Sequence, residues 1–148
     1  ADIFALQETI AQQVTSALRV ALNAGQRDRL VDVGTTNPDA YALLLRASEV
    51  FNKREFERYQ DAANALDDAL RLDQSFARAH SRRAVLHYVW ATNSPPTRYL
   101  ELIDEASVSA DDAMQLDPSL GEPHAALGVI YGHRREYAKA RAAFDRAL

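Results

Sequence analysis

Cysteine is absent from the 148 residues of the chain, which excludes disulfide frameworks, thiolate zinc sites and cysteine nucleophiles. Lysine occurs only twice beside 15 arginines, and Asp plus Glu total 21. The resulting net charge of −4 argues against a simple electrostatic binder of nucleic acid. There is no apolar run of about 18 residues and no recognisable cleavable leader, so we expect neither membrane insertion nor an export signal in this segment.

The residues that are plentiful favour helix over strand. The chain has 27 alanines and 47% hydrophobic residues, with only five glycines and five prolines to interrupt it. Its length suits one ordinary domain. We expect a cytoplasmic location, with the extracytoplasmic side of a membrane-anchored regulator as the alternative.

The sequence contains an internal repeat. Residues Leu72–His80 recur as Leu116–His124, with Leu, Asp, Ser and His coinciding at an offset of 44. Upstream of each copy, and again near the end of the chain, apolar residues follow the i, i+4, i+7 spacing of one buried helix face. These three stripes are Ala62, Leu66 and Ala69; Ala106, Ala110 and Ala113; and Ala140, Phe144 and Ala147.

The last copy carries the fullest signature of a known repeat. It reads Leu127-Gly128, Tyr131, Tyr137, Ala140, Phe144 and Ala147, and an Asp117-Pro118 step precedes it. This pattern resembles the tetratricopeptide repeat (TPR), a helix-turn-helix unit of about 34 residues. The chain departs from that pattern at Arg135, where a turn glycine is usual, and at His80 and His124, where an aromatic residue is common.

The resemblance implies an all-α fold, an α-solenoid of TPR helix-turn-helix repeats with an additional N-terminal helix. We expect an N-terminal helix and connecting segment over 1–36 and a TPR array over 37–148. The units span about 37–75, 76–119 and 120–148, and the third ends inside its second helix. The second unit holds an insertion near 93–97, where two prolines cannot continue a helix. A smaller insertion near 53–57 has no Gly or Pro, so we expect it to lengthen a helix.

The first quarter of the chain predicts one amphipathic helix over 3–22, with Leu6, Ile10, Val14, Leu18 and Ala21 on one face. This helix either caps the first repeat or binds a partner through its apolar stripe, as in a dimer. Together with Asn37-Pro38, the opening residues are similar to a junction in bacterial multidomain regulators. In those proteins a nucleotidyl cyclase, kinase or winged-helix effector precedes a TolB-amino-terminal-like domain and TPRs. That resemblance implies that no effector motif lies on this chain.

Residues that could carry chemistry have structural explanations. His80 and His87 have no Asp or Glu at i+3 or i+4, and His80 shares its repeat position with His124, so we expect no metal and no cofactor. The acidic pairs beside the alanine stripes suit solvated helix faces. Nucleotide-binding and nucleophile-elbow motifs do not occur in the sequence. We therefore expect no catalytic residues.

The TPR resemblance implies a concave groove lined by the first helix of each unit, at about 38–52, 77–92 and 122–134. Arg78 and Arg82 share one helix face and either pair with acids such as Glu122 or contact an anionic partner. The candidate binding residues in the groove are Arg46, Glu49, Arg78, Arg82, Val85, Tyr88, Val89, Glu122, Val129 and His133.

These observations predict a non-catalytic module that binds a protein or peptide partner in the groove, as part of a larger signalling protein. The alternative is a regulatory segment that senses a ligand and controls an attached effector such as a nucleotidyl cyclase. We expect no nucleic-acid partner. We also expect homo-oligomer contacts through the N-terminal helix or through the uncapped C-terminal end, where Tyr137, Phe144 and Leu148 stand.

Overall fold

The computed structural model describes residues 33–148, and this part of the chain is all-helical, as predicted, with no strand in that range. The helix expected over 3–22 lies outside the described residues. Within residues 33–148, six α-helices follow one another, and a 3₁₀ helix, Phe56–Arg58, stands between the first two of them. The α-helices are α1 Pro38–Asn52, α2 Tyr59–Leu72, α3 Ala77–Thr92, α4 Pro96–Leu116, α5 Gly121–His133 and α6 Tyr137–Ala147.

Helix α1 begins at a side-chain cap. The Asn37 side-chain oxygen accepts hydrogen bonds from the backbone N–H groups of Asp39 at 3.0 Å and Ala40 at 3.1 Å. Pro38 occupies the first helical position, where a missing N–H costs nothing. The cap thus satisfies donors that the first turn of a helix leaves without partners, and α1 starts where the sequence predicts it.

The junctions that follow α2 and α4 have the same geometry. Asp73 accepts a hydrogen bond from the Ser75 hydroxyl at 2.7 Å, and Asp117 accepts one from Ser119 at 2.6 Å. The ring of His80 then donates to the Gln74 carbonyl, just as the His124 ring donates to the Pro118 carbonyl. The 44-residue offset is therefore a structural repeat, and both histidines serve to fix a turn.

Helices pack against their neighbours along the chain, as the pairs α1–α2, α3–α4 and α5–α6, and α3 also contacts α1 and α5. Two apolar cores result, and α3 contributes to both of them. Its Ala79 and Leu86 join the core with α1 and α2, whereas Ala84 and Ala91 join the core with α4 and α5. Helix α3 is thus the central element of the described residues.

The alanine stripes are buried to different degrees. Ala62, Leu66 and Ala69 on α2 are 0–1% exposed, and the equivalent residues on α4 are completely buried. On α6, Ala140 is buried but Phe144 is 42% exposed, and Ala143 is buried instead. The predicted stripe holds for α2 and α4 and is only partly right for α6.

One expectation about an insertion was wrong. Residues 53–57 do not lengthen a helix: α1 ends at Asn52, Arg54 adopts a left-handed φ of 55°, and the 3₁₀ helix follows. The reversal leaves Phe56 and Tyr59 close to each other, with ring centroids 5.1 Å apart. At the second predicted insertion, residues 93–95 separate α3 from α4, and Pro96 is the first residue of α4, which has 21 residues.

Candidate functional site

A groove lies between the first helices of the three helix pairs, α1, α3 and α5. Its volume is about 310 Å³. Six of the ten candidate residues line it. The residues of this groove are Phe51, Arg82, Val85, Tyr88, Val89, Glu122, Ala125, Ala126 and Val129.

The walls of the groove are mainly apolar. Val85 and Val89 are one helical turn apart on α3, so they present adjacent side chains on the same face. Val129 and two alanines face them from α5, and Phe51 closes the side formed by α1. Small residues on α5 leave room beside the larger side chains of α3. Such a surface can bury an aliphatic or aromatic side chain of a partner.

An ion pair crosses the groove between α3 and α5. The Arg82 guanidinium lies 3.1 Å from the Glu122 carboxylate, which also accepts a hydrogen bond from the Ser81 hydroxyl at 3.1 Å. The same guanidinium stands 5.3 Å from the centroid of the Phe51 ring on α1. Because Glu122 is 53% exposed, solvent limits the pair to about 1 kcal/mol or less. Its effect is chiefly to orient Arg82 within the groove.

A second cavity, of about 360 Å³, adjoins the groove at this ion pair and shares Arg82 and Glu122 with it. Arg78 lines this second cavity, one turn before Arg82 on α3. We call it the polar cleft, because hydroxyl groups and two arginines stand among its lining residues. They are Tyr41, Leu44, Leu45, Ser48, Arg78, Ser81, Arg82, Leu120, Gly121 and Glu122.

Tyr88 connects the groove to the end of α5. Its ring meets the His133 ring edge-on, with centroids 6.3 Å apart, and the Tyr99 hydroxyl lies 3.0 Å from His133 Nδ1. Burial raises the pKa of Tyr88, and the neighbouring Tyr99 raises it further, so Tyr88 stays protonated near neutral pH. His133 therefore supports Tyr88 beside the groove and does not line it.

Two candidate residues stand apart from both cavities. Arg46 is exposed on α1. Glu49 is also exposed and forms an ion pair with Lys53 one turn later on the same helix, at 2.7 Å. The structure therefore brings six candidates together in the groove, adds Arg78 in the polar cleft and His133 behind Tyr88, and leaves Arg46 and Glu49 outside.

Sequence reasoning missed Phe51, which lines the groove and touches Arg82. The signal for it was its place on α1, seven residues after the buried Leu44 and therefore on nearly the same face. The alanines of α5 were also missed, although the Ala125-Ala126 pair follows the buried His124 directly.

Some of the acidic residues that we expected on solvated helix faces form contacts with a neighbouring helix. Asp67 on α2 lies 2.8 Å from Arg83, and Glu105 on α4 lies 3.1 Å from the buried ring of His87. Burial lowers the pKa of His87 to about 4, with the nearby Arg83 adding to the effect, so the ring is neutral at pH 7. These contacts join helices of the scaffold outside the groove. Within residues 33–148, no cluster of three or more histidine and acidic side chains could hold a metal ion.

Comparison with known proteins gives one partial similarity and no family. No protein-family model matches the chain. Over 85 residues, 57% of the chain, it is 32% identical to a protein named putative adenylate cyclase 3 from Rhizobium meliloti (strain 1021). The aligned part covers only 14% of the length of that relative. In residues 33–148, no helix combines the length and the apolar character needed to cross a bilayer.

Proposed function

We propose that this chain is a non-catalytic interaction module of the TPR type that binds an extended or helical segment of a protein partner in the groove. The observation that carries the proposal is the convergence of α1, α3 and α5 on one apolar cavity crossed by an oriented arginine. Six of the ten candidate positions line this cavity, which supports the proposal.

The chemistry of the groove suits recognition of a side chain. Its apolar walls favour burial of one or two aliphatic or aromatic anchors, while Arg82 and Glu122 offer a donor and an acceptor that fix the direction of the partner. Tyr88 supplies a large ring at low conformational cost, because the His133 ring stands against it and restricts its motion before binding. A partner segment therefore needs an apolar anchor flanked by polar groups.

The repeated junctions support the TPR assignment. The aspartate–serine and histidine contacts that follow α2 return after α4 at the 44-residue offset. The pairs α1–α2 and α3–α4 bury their stripes with the help of the next helix, which a single helical hairpin cannot do alone. A solenoid of such pairs would present the first helix of every pair on one surface, where the groove lies.

We also propose that the chain belongs to a larger signalling protein. The support is the similarity to a small part of a protein named as a putative adenylate cyclase. In this proposal the chain carries no catalytic residue, and an attached effector such as a nucleotidyl cyclase performs the reaction in the cytoplasm. The alternative, favoured by the same similarity, is that the chain senses a small ligand and controls the effector.

A random peptide library displayed on phage tests the groove with the intact chain. The informative variant is Val85→Lys, which places a charge among the apolar walls of the groove. Its matched control is Val108→Lys, because Val108 is 57% exposed on α4 and does not line the groove. Tyr88→Ala and Tyr137→Ala form a second pair, since Tyr137 is 69% exposed on α6.

We expect the library to yield peptides with a shared apolar anchor that bind the wild-type chain and both controls. Binding should fall by about tenfold or more in Val85→Lys and Tyr88→Ala, which corresponds to loss of about 1.4 kcal/mol or more. Peptides that bind all four variants equally, or failure to select any peptide with the correctly folded chain, would refute binding in the groove.

A further inference from the structure

The turn between α1 and α2 has a counterpart between α5 and α6. In the first turn, the backbone N–H of Glu55 donates to the Val50 carbonyl at 3.2 Å and that of Arg54 donates to Phe51 at 3.0 Å. In the second, Glu136 donates to Tyr131 at 2.9 Å and Arg135 to Gly132 at 3.0 Å. Both form a Schellman motif with an arginine in the left-handed position, so the two turns can be compared residue by residue.

The first turn differs by the 3₁₀ helix Phe56–Arg58, which comes before α2 begins. This segment brings three aromatic rings together. The Phe56 and Phe51 rings stand 5.1 Å and 6.2 Å from the ring of Tyr59. In the second turn, Gly132 takes the place of Phe51, and α6 starts at once with the exposed Tyr137.

These rings border a cavity of about 480 Å³. We call it the turn pocket. It adjoins the groove, because Phe51 and Val89 line both cavities. The turn pocket is lined by Phe51, Asn52, Arg54, Phe56, Tyr59, Val89 and Asn93. Its wall combines aromatic rings with two asparagine side chains and one arginine, so a ligand there could meet both apolar and polar groups.

The polar groups of the turn pocket favour an anion. Tyr59 is completely buried, and within residues 33–148 its hydroxyl has no hydrogen-bond partner. None of the ion pairs in that range involves Arg54, whose charge nevertheless acts on the Tyr59 hydroxyl. Burial is the stronger influence and raises the pKa of Tyr59, so its hydroxyl remains a donor. A donor hydroxyl and a nearby guanidinium can both bind one carboxylate.

We propose that the turn pocket binds a small aromatic carboxylate, with its rings against Phe51, Phe56 and Tyr59 and its carboxylate between Arg54 and the Tyr59 hydroxyl. Because the Tyr59 hydroxyl is covered from water, this binding mode requires the partly exposed Phe56 ring to shift when the ligand enters. The turn pocket shares Phe51 and Val89 with the groove, but neither Val85 nor Tyr88 lines it, so variants at these two residues distinguish ligand binding in the turn pocket from peptide binding in the groove.

Titration of the full chain with 2-naphthoate, followed by calorimetry and by amide NMR shifts, tests the proposal. The variants are Arg54→Gln, which removes the charge, and Tyr59→Phe, which removes only the hydroxyl. Arg135→Gln is the matched control, because Arg135 occupies the same place in a turn without the three rings. 2-Naphthalenemethanol, which has the same rings and no charge, is the control ligand.

We expect 2-naphthoate to bind the wild-type chain, Arg135→Gln and Val85→Lys equally, with shifts centred on Phe51, Tyr59 and Val89. The dissociation constant should rise about tenfold in Arg54→Gln and several-fold in Tyr59→Phe, and 2-naphthalenemethanol should bind weakly. Absence of binding by the folded wild-type chain at millimolar 2-naphthoate would overturn the proposal. Equal binding by Arg54→Gln, or binding that Val85→Lys abolishes, would overturn it as well.

Discussion

The first helix pair, α1–α2, and the last, α5–α6, share one sequence pattern, but they bury their apolar residues to different extents. Both have a Schellman turn with a left-handed arginine, and both second helices carry the same apolar stripe. In α2 the stripe is sealed, because α3 packs against it on the side away from α1. In α6 the stripe packs chiefly on α5, and Phe144 remains 42% exposed. The same repeat pattern thus gives a full core only where a further helix covers it.

The two pairs also differ in what surrounds the turn. In the first, Phe51, Phe56 and Tyr59 gather around Arg54. In the last, Gly132 and the exposed Tyr137 stand beside Arg135. The first turn thus differs from the second in two respects. It is followed by a three-residue 3₁₀ helix, and it carries Phe51 where the second turn has Gly132. Backbone geometry alone does not create a site, since the two turns share it.

The largest expected effect concerns the buried stripe. Leu66→Ala should lower the free energy of unfolding by about 2–5 kcal/mol, because Leu66 is completely buried and a cavity would replace it. Phe144→Ala, at the equivalent position of α6, should cost only about 1–2 kcal/mol, because the ring keeps much of its contact with water. Urea unfolding of both variants measures the difference. Equal losses would show that α6 is as fully packed as α2 in solution.

Some features of the fold and of the groove could be predicted from the sequence, because they leave a recognisable local pattern, and others could not. The bounds Pro38–Asn52 and Ala77–Thr92 match the predicted first helices. The Asn37 cap marks the start of the first of these, whereas no side chain caps the second, whose bounds were placed by the repeat pattern. The groove residues of α3 were chosen from the TPR resemblance. The turn at Arg54 was not predicted, since its left-handed conformation usually indicates glycine, whereas the repeat pattern placed the turn at Arg135 although glycine is absent there. Pro95-Pro96 does interrupt the helices, and Pro96 then begins α4, because proline suits the first position of a helix.

The turn pocket could not be predicted from the sequence, for a related reason. Phe51, Phe56 and Tyr59 have no common helical period, as a left-handed residue and a 3₁₀ helix lie between them. Ring-to-ring proximity arises only once the chain has reversed. The contacts of Arg82 were easier to foresee, because Glu122 was one of the acids considered for it and lies on the next first helix.

An effect of intermediate size concerns the middle pair, α3–α4, and the dependence of its stability on pH. His87 takes the place that Val50 and Tyr131 hold in the outer pairs, given the repeat offset and the matched turns. The folded chain does not protonate His87 until about pH 4, whereas the unfolded chain does so near its ordinary pKa of 6.5. The unfolded state therefore binds more protons between these values, and stability falls as pH decreases through that window.

From pH 7 to pH 5 this linkage should lower the free energy of unfolding by about 2 kcal/mol. Urea unfolding at the two pH values measures the loss, and His87→Gln should remove most of it, because a neutral amide does not titrate. Arg141→Gln, on the exposed surface of α6, is the control and should retain the loss. If the stability of His87→Gln keeps the full pH dependence, a group other than His87 causes it. The middle pair would then not differ from the outer pairs in its response to acid.

The smallest effect tests the feature that the outer pairs share. Glycine adopts the left-handed conformation without a steric penalty, so Arg54→Gly and Arg135→Gly should each stabilise the chain, by about 0.5–1 kcal/mol. Urea midpoints of the two variants should rise alike, because the Schellman hydrogen bonds are the same in both turns. A fall in Arg54→Gly alone would show that the arginine stabilises its turn by contacts with the pocket. Equal stabilisation should still be accompanied by a loss of 2-naphthoate affinity in Arg54→Gly and not in Arg135→Gly, because Arg54 lines the turn pocket beside Tyr59, whose hydroxyl has no hydrogen-bond partner within residues 33–148.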